Sequence, residues 1–422
     1  MGMDSRRILI TGVSRPEGGR LAQWLERQPG VEAIVGVDTH DPKHAFELTE
    51  FVRVDPRHPQ FGRILRAAAI DTVVDTRLVD DPLRISLKDA HEVNVTGTIS
   101  MLAACGGPGS RVRKLVFKSS AQYYGGDPGQ PAFLSEEIGR AHPPRTAIES
   151  DVVAAEGAVE SFAARHPAST VTVLRMADQV GAEARSSYLS LLALPAVPSL
   201  LGFDPRCQLI DEEDVVGALA HAVAHNLPGT YNAAADGVLA LSEVASLLGK
   251  PLLPVLPPWG AGLAAGQLRR LGLRIPVELL GQLRFGRGLD NRRLKATGYT
   301  YRYTTREAVL KLHAQHSARP LLGSGGDSYH YEREVEEFLR WSPSVHRAPM
   351  AGGSSADPPE HAQPGSYDEL SAGEVIEIIA SLESDALTRL RGYEASHMAR
   401  QAVLEALDGR LAQSRDLSPS DE

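Results

Sequence analysis

The sequence predicts an α/β protein built on a doubly wound parallel sheet. Three observations carry this. In the first half of the 422-residue chain, short β-branched runs alternate with longer segments of helical periodicity. The strand-like runs are apolar along their length, as strands covered on both faces are. A glycine-rich turn, Gly12-Val-Ser-Arg-Pro-Glu-Gly18-Gly19, joins the first run to the first helical segment.

Taken in order, strands are predicted over 7–11, 33–38, 50–55, 72–76, 114–117 and 170–175. Helices are predicted between them over 18–28, 61–69, 87–105 and 146–165. Parallel neighbours joined by helices require right-handed crossovers. Residues 5–180 form this first domain. From Gly181 the pattern changes: Pro195, Pro198 and Pro205 interrupt a leucine-rich segment, and helices over 212–225 and 241–248 follow with short strands. Residues 181–315 therefore read as a smaller, mixed subdomain, and 316–341 as a helical extension. Residues 342–366, rich in Pro, Gly, Ser and Ala, read as a linker.

Residues 367–415 read as a helical hairpin. Ser371 and Glu374 have capping-box spacing, and Val375, Ile376, Ile378, Ile379 and Leu382 follow as an apolar face. Leu387, Leu390, Tyr393, Val403, Leu404, Leu407 and Leu411 continue at spacings of three and four. The hairpin either packs within this chain or serves as a module for a protein partner.

Composition excludes several classes. With 42% hydrophobic and 23% charged residues the chain is globular rather than disordered or coiled-coil. Two cysteines exclude a disulfide framework and cysteine-rich zinc modules. A net charge of -9 argues against nucleic acid as a partner. The most apolar stretches, 189–202 and 252–266, are short for a membrane span and contain prolines. The polar first residues lack a signal peptide's apolar core, so the cytoplasm is the expected compartment.

The strand–turn–helix at the N-terminus has the context of a dinucleotide site. Gly12 permits the tight turn, Gly18 permits close packing of helix on sheet, and the helix N-terminus offers N–H groups to a pyrophosphate. Ser14 lies in the same turn. Arg15 occupies the usual middle-glycine position; its side chain either crowds the phosphate or bonds to it. Asp38 ends the second strand, where an acid accepts ribose hydroxyls and repels a 2′-phosphate, favouring NAD over NADP. A capping role in the following turn is its alternative. Asp55 ends the third strand, as an adenine-side contact or a turn residue.

Ile10-Thr-Gly12, Asp38, Asn94-Val-Thr-Gly-Thr98, Ser119-Ser-Ala-Gln-Tyr-Tyr-Gly125 and Leu174-Arg175 follow one another in an order that resembles the NAD-dependent epimerase/dehydratase family, the extended short-chain dehydrogenases/reductases. Gln208-Leu-Ile-Asp-Glu-Glu-Asp-Val215 and Gly229-Thr-Tyr-Asn232 continue it, over roughly residues 5–315. The look is nearest to actinobacterial UDP-glucose 4-epimerase-like proteins. The resemblance implies a Rossmann-like domain holding NAD and a C-terminal subdomain holding a nucleotide sugar. It also implies a serine, here Ser120, and a downstream Tyr-x-x-x-Lys pair that carries the chemistry.

That pair is absent. No tyrosine lies between Tyr124 and Tyr188, and no lysine between Lys118 and Lys250. Alignment on Glu156 places Ile148 and Val152 at the two positions. Other departures are Arg77 after the fourth strand, where it could approach cofactor or phosphate, Asp178 where an asparagine is common, and Asp211 in place of a histidine. Tyr124 is a substitute catalytic group or a packing residue. Lys118 reaches the nicotinamide ribose or serves the surface. Glu149 and Asp151 are substitute bases or a solvated helix face. His221 and His225 share a helix face without a third ligand, so no metal site is expected.

Two functions remain open: an atypical isomerase or lyase acting on a nucleotide sugar, and a non-catalytic NAD-dependent sensor that recruits a partner through the hairpin. The resemblance implies pairing through the helices over 87–105 and 146–165, and the small face of Ala154, Ala155, Ala158, Ala163 and Ala164 on the second suits close packing, so a homodimer is expected.

Overall fold

The computed structural model describes residues 5–81, 85–126, 129–140, 142–184, 186–255, 277–317 and part of 387–416. The expected linker, most of the expected helical extension, and the hairpin's Ser371, Glu374 and 375–382 face lie outside the described residues.

The alternation continues along the chain. β1 (Arg7–Thr11), α1 (Pro16–Glu26), β2 (Ala33–Asp38), β3 (Thr49–Arg53), α2 (Gln60–Ala67) and β4 (Thr72–Asp75) come first. α3 (Leu87–His91), a π-wound turn (Glu92–Thr96) and α4 (Gly97–Cys105) follow as one run of helix. Next are β5 (Lys114–Ser120), a 3-10 turn (Ala121–Tyr124), α5 (Ala147–Arg165) and β6 (Thr170–Met176). The second half holds β7 (Asp178–Val180), α6 (Ser187–Leu192), β8 (Val197–Leu200), β9 (Arg206–Cys207), β10 (Leu209–Asp211), α7 (Glu212–Ala224), β11 (Gly229–Ala233), β12 (Leu239–Ala240), α8 (Leu241–Leu247) and β13 (Leu252–Val255). α9 (Val277–Phe285), α10 (Arg292–Lys295), α11 (Thr305–Ser317) and α12 (Gln401–Asp416) complete it.

Seven strands form one parallel sheet in the order β11-β6-β5-β4-β1-β2-β3. Helix-covered faces explain the continuous apolar strands. Ile8 and Ile10 pack into one layer with Leu21 and Leu25 of α1 and with α7, while Leu9 faces the other layer with α2, α4 and α5. The doubly wound sheet is therefore as predicted.

β11 departs from the expected division at residue 180. It returns from the second half to pair with β6, residue Gly229 opposite Thr172. Its Gly229-Thr-Tyr-Asn232 run is too short and mixed to signal a sheet strand, and its place is fixed by the apolar face of α7 on the sheet. The second half also makes three two-stranded sheets, β10–β7, β12–β9 and β13–β8, around a core of its own with Leu191, Leu209, Val244, Leu283 and Leu312.

The chain divides into two compact units, 1–349 and 350–422. In the second, Leu387, Val403 and Leu407 are buried. Arg391 pairs with Asp408, and Arg400 Nε lies 2.8 Å from Glu394 Oε1. Among the described residues no helix is long and apolar enough to cross a membrane.

Candidate functional site

The strand order reverses at β1, which pairs with β2 on one side and β4 on the other. Loops from the carboxyl ends of such neighbouring strands run apart and leave a crevice. Here it is a cavity of about 460 Å³ lined from Asp38, Asp55 and Arg57 at one end to Asp80 and Lys118 at the other. That volume is typical of small-molecule sites.

The β1–α1 turn is clamped by close backbone approach. Gly12 has φ +83, and a Cβ there would lie 2.7 Å from Thr76 Oγ1 and 3.1 Å from Arg77 Cγ. A Cβ on Gly18 would lie 2.9 Å from the Gly12 carbonyl carbon. Both glycines thus serve the packing of turn against β4 and α1. Ser14 N–H donates to Asp38 Oδ2 at 3.0 Å, and its hydroxyl donates to the His40 carbonyl. Thr39 N–H donates to Asp38 Oδ1 at 2.7 Å. Among the described residues no cation pairs with Asp38, so each oxygen keeps acceptor capacity toward the cavity. Arg15 stands just before Pro16 at the start of α1 and reaches across the crevice, donating from Nη1 to the Leu78 carbonyl at 3.0 Å.

Other charges along the wall are paired. Arg57 lies 2.6 Å from Asp55 and 2.8 Å from Glu92. Burial pushes the Asp55 carboxyl up, but its bonds from Arg57 outweigh this and hold it below the usual range. Arg77 makes a two-bond fork to Asp75 at 2.9 and 2.8 Å, buried between Gly12 and Gly97. Lys118 Nζ lies 2.8 Å from Glu17 Oε1. Asn94, on the π-wound turn, exchanges two 2.7 Å bonds with the Val79 backbone. It is buried behind the wall and holds the segment after β4 in place.

Residues 8–234 match the NAD dependent epimerase/dehydratase family. The chain belongs to that family. Uncharacterised proteins of Mycobacterium tuberculosis and Mycobacterium bovis are each 33% identical over 309 residues, 71% of this chain and 81% of theirs. Among solved structures, MoeE5 in complex with UDP-glucose and NAD is 22% identical, with TM-score 0.56 over 74% of this chain and 98% of its own. The UDP-glucose 4-epimerase of Thermotoga maritima, with UDP-glucose, is 16% identical, with TM-score 0.57 over 74% and 98%. Both likenesses are of fold.

Ile148 and Val152, which the sequence aligns with the expected Tyr-x-x-x-Lys pair, are both 0% exposed in the layer between α5 and the sheet. Tyr124 is buried: its hydroxyl donates to Asn232 Oδ1 at 2.8 Å and accepts from Arg175 Nη1 at 2.9 Å. Burial pushes it above the usual tyrosine range against the pull of Arg175. It does not line the cavity. Arg175 in turn makes a fork to Glu156, which also accepts from Ser119. Glu149 is bonded by Arg140 Nη2 at 2.9 Å and by Arg145 N–H at 3.0 Å, and Asp151 pairs with His91 at 2.7 Å. Asp211 caps α7 and pairs with Lys311 at 2.8 Å. His221 bonds Thr297 and stacks on His225. Asp178 accepts a bond from Gln282, and burial pushes it above the usual carboxylate range.

Ser120 stands at the end of β5. Its hydroxyl donates to Asp80 Oδ2 at 2.9 Å and accepts from Gln122 N–H at 3.3 Å. Asp80, the residue directly after the apolar Leu78-Val79 that follows β4, is not among the residues the sequence singles out. Its signal is an Asp80-Asp81 pair immediately after Arg77-Leu-Val79.

Proposed function

We propose that this chain binds NAD in the β1–β4 crevice and acts with it on a nucleotide-linked sugar or a similar small molecule. The observation that carries the reading is the distribution of polar groups along one cavity. A carboxylate stands at the β2 end, a guanidinium at the α1 N-terminus, and at the β4–β5 end the Asp80 carboxylate, held from behind by Ser120. The first two are what a dinucleotide's ribose and diphosphate call for, in this order. Asp38 would hold the adenosine ribose hydroxyls, and Arg15 with the first turn of α1 would hold the diphosphate. Bound there, NAD would supply a hydride acceptor. The fork between Asp75 and Arg77 and the bonds between Asn94 and Val79 fix the wall against which it would lie. Family membership and NAD-bound neighbours such as MoeE5 support the assignment.

A sensor reading is supported by a different observation: Ile148 and Val152, aligned with the pair the resemblance implies, are wholly in the core and carry no group that moves a proton. In that reading NAD is a ligand only, and the hairpin unit recruits a partner. We also propose a homodimer. The α4–α5 face presents Ile99, 51% exposed, beside Ala103 and Ala158 in a shallow groove.

Calorimetric titration with NAD⁺ and NADP⁺ tests the cofactor assignment. NAD⁺ binds, NADP⁺ binds more weakly, and Asp38→Ala removes most of the preference. Equal binding of both, or none of either, refutes it.

A further inference from the structure

We infer that the Asp80 carboxylate, oriented by Ser120, is the proton acceptor of this site in place of the absent tyrosine. That role presupposes the hydride transfer proposed above.

Position is the first reason. Asp80 follows β4 and Ser120 ends β5, and these strands are neighbours in the sheet. Asp80 lines the cavity at the end away from Asp38, where the reacting end of a dinucleotide laid across the crevice falls. Fixation is the second. Ser120 holds Oδ2 at 2.9 Å, and Gln122 Nε2 donates to the Asp80 carbonyl at 3.0 Å. Oδ1 has no hydrogen-bond partner among the described residues. A base held by one oxygen and open at the other is arranged to take a proton from a bound hydroxyl.

Elimination is the third. Glu17, Asp75, Glu149, Asp151 and Glu156 are each engaged by a basic side chain. Asp178 is bonded by Gln282 and does not line this cavity. Asp38 and Asp55 stand at the opposite end of the cavity, and at the β4–β5 end Asp80 combines exposure to the cavity with an orientation fixed by Ser120. Its electrostatics agree. Burial raises its proton affinity, Lys118 and Ser120 oppose this, and Asp81 and Glu17 reinforce it, leaving Asp80 above the usual carboxylate range.

The step balances as an alcohol oxidation. The substrate O–H bond breaks and its proton goes to Asp80 Oδ1. The carbon–oxygen double bond forms as the hydride on that carbon leaves. The substrate would be oxidised by two electrons, which NAD⁺, where bound, would accept as that hydride. Asp80 is a catalytic residue in this scheme, and Ser120 positions it.

The test compares wild type, Asp80→Asn, Asp80→Ala and Ser120→Ala for single-turnover reduction of NAD⁺ with UDP-glucose, UDP-glucuronic acid and dTDP-glucose. NAD⁺ affinity is measured in parallel by calorimetry. Asp80→Asn keeps the size and the Ser120 bond, so NAD⁺ affinity stays within about threefold. Hydride transfer falls by roughly 10² or more, the range of general-base catalysis. The acid limb of the wild-type pH profile disappears, and formate restores part of the rate to Asp80→Ala. Ser120→Ala loses a smaller factor, on the order of 10, and keeps the acid limb. If wild type transfers hydride and Asp80→Asn matches it, Asp80 is not the base while the enzymatic reading stands. A wild type that binds NAD⁺ and leaves it oxidised with all three sugars removes the enzymatic reading, and the role of Asp80 with it.

Discussion

Replacing Arg15 with glycine restores the glycine spacing of the usual dinucleotide turn, yet the geometry here predicts weaker NAD⁺ binding. Arg15 has φ -80 and ψ 151, an extended conformation that glycine adopts without strain. The change therefore reads out the side chain alone. A charge-assisted bond from guanidinium to diphosphate is worth about 1.5–3 kcal/mol. Swinging to the diphosphate gives up the 3.0 Å bond to the Leu78 carbonyl, worth roughly 0.5–1.5 kcal/mol. The difference is about 1.4 kcal/mol, or about tenfold in affinity. Calorimetry at low and high salt measures it, and the loss shrinks as salt screens the phosphate contact. Equal or tighter NAD⁺ binding by Arg15→Gly refutes the reasoning: the guanidinium would then be an obstruction.

Gly18→Ala should destabilise the fold by about 1–3 kcal/mol, because its Cβ meets the Gly12 carbonyl, a backbone group that cannot turn aside. A lower urea midpoint at unchanged slope is the expected result. Asp75 carries a pH signature. Burial pushes its carboxyl up, but Arg77 and Thr11 outweigh this and hold it low. A depressed folded pKa gives stability that is present above the unfolded carboxylate value of about 3.9 and lost as pH falls through the folded value. Asp75→Asn should thus be least stable relative to wild type at neutral pH, with the gap narrowing in acid; a constant gap from neutral to acid pH contradicts this. For the proposed dimer, light scattering should give the mass of two chains, and Ile99→Arg should halve it. A wild-type mass of one chain removes the dimer.

How much of this was legible in the sequence depends on whether a signal is local. β1, β2, β4 and β6 announce themselves because strands covered on both faces need unbroken apolar runs. Gly12, Gly18, Asp38 and the end of β5 follow from chain position alone. β11 does not, since Gly229-Thr-Tyr-Asn232 becomes a sheet strand only through pairing with β6. Pairings across the fold are equally hidden. Arg77 reads as a free cation until Asp75 is seen forked to it, Lys118 until Glu17 is seen beside it, and Tyr124 until Arg175 and Asn232 enclose its hydroxyl. Asp80 was overlooked for the same reason: its partner, Ser120, is forty residues away in sequence and 2.9 Å away in space.

The same distinction bears on what became of the family's chemistry. Ile148 and Val152 add two apolar groups to the layer under α5, so the fold itself asks for no polar pair at these positions. A site kept only for packing would face no such constraint anywhere along the crevice. Its remaining charged groups would drift toward mutual pairing, as Asp55 with Arg57 and Lys118 with Glu17 have done. Three groups run against that tendency. Among the described residues Asp38 accepts from two backbone N–H groups and the Thr39 hydroxyl, Arg15 donates to a carbonyl, and the Asp80 carboxylate accepts from the neutral Ser120, none of them in a salt bridge. Leaving a part-buried charge without a directly bonded countercharge costs stability. That cost is offset when a ligand brings the hydroxyls, the phosphates and the transferable proton that these three groups are placed to meet.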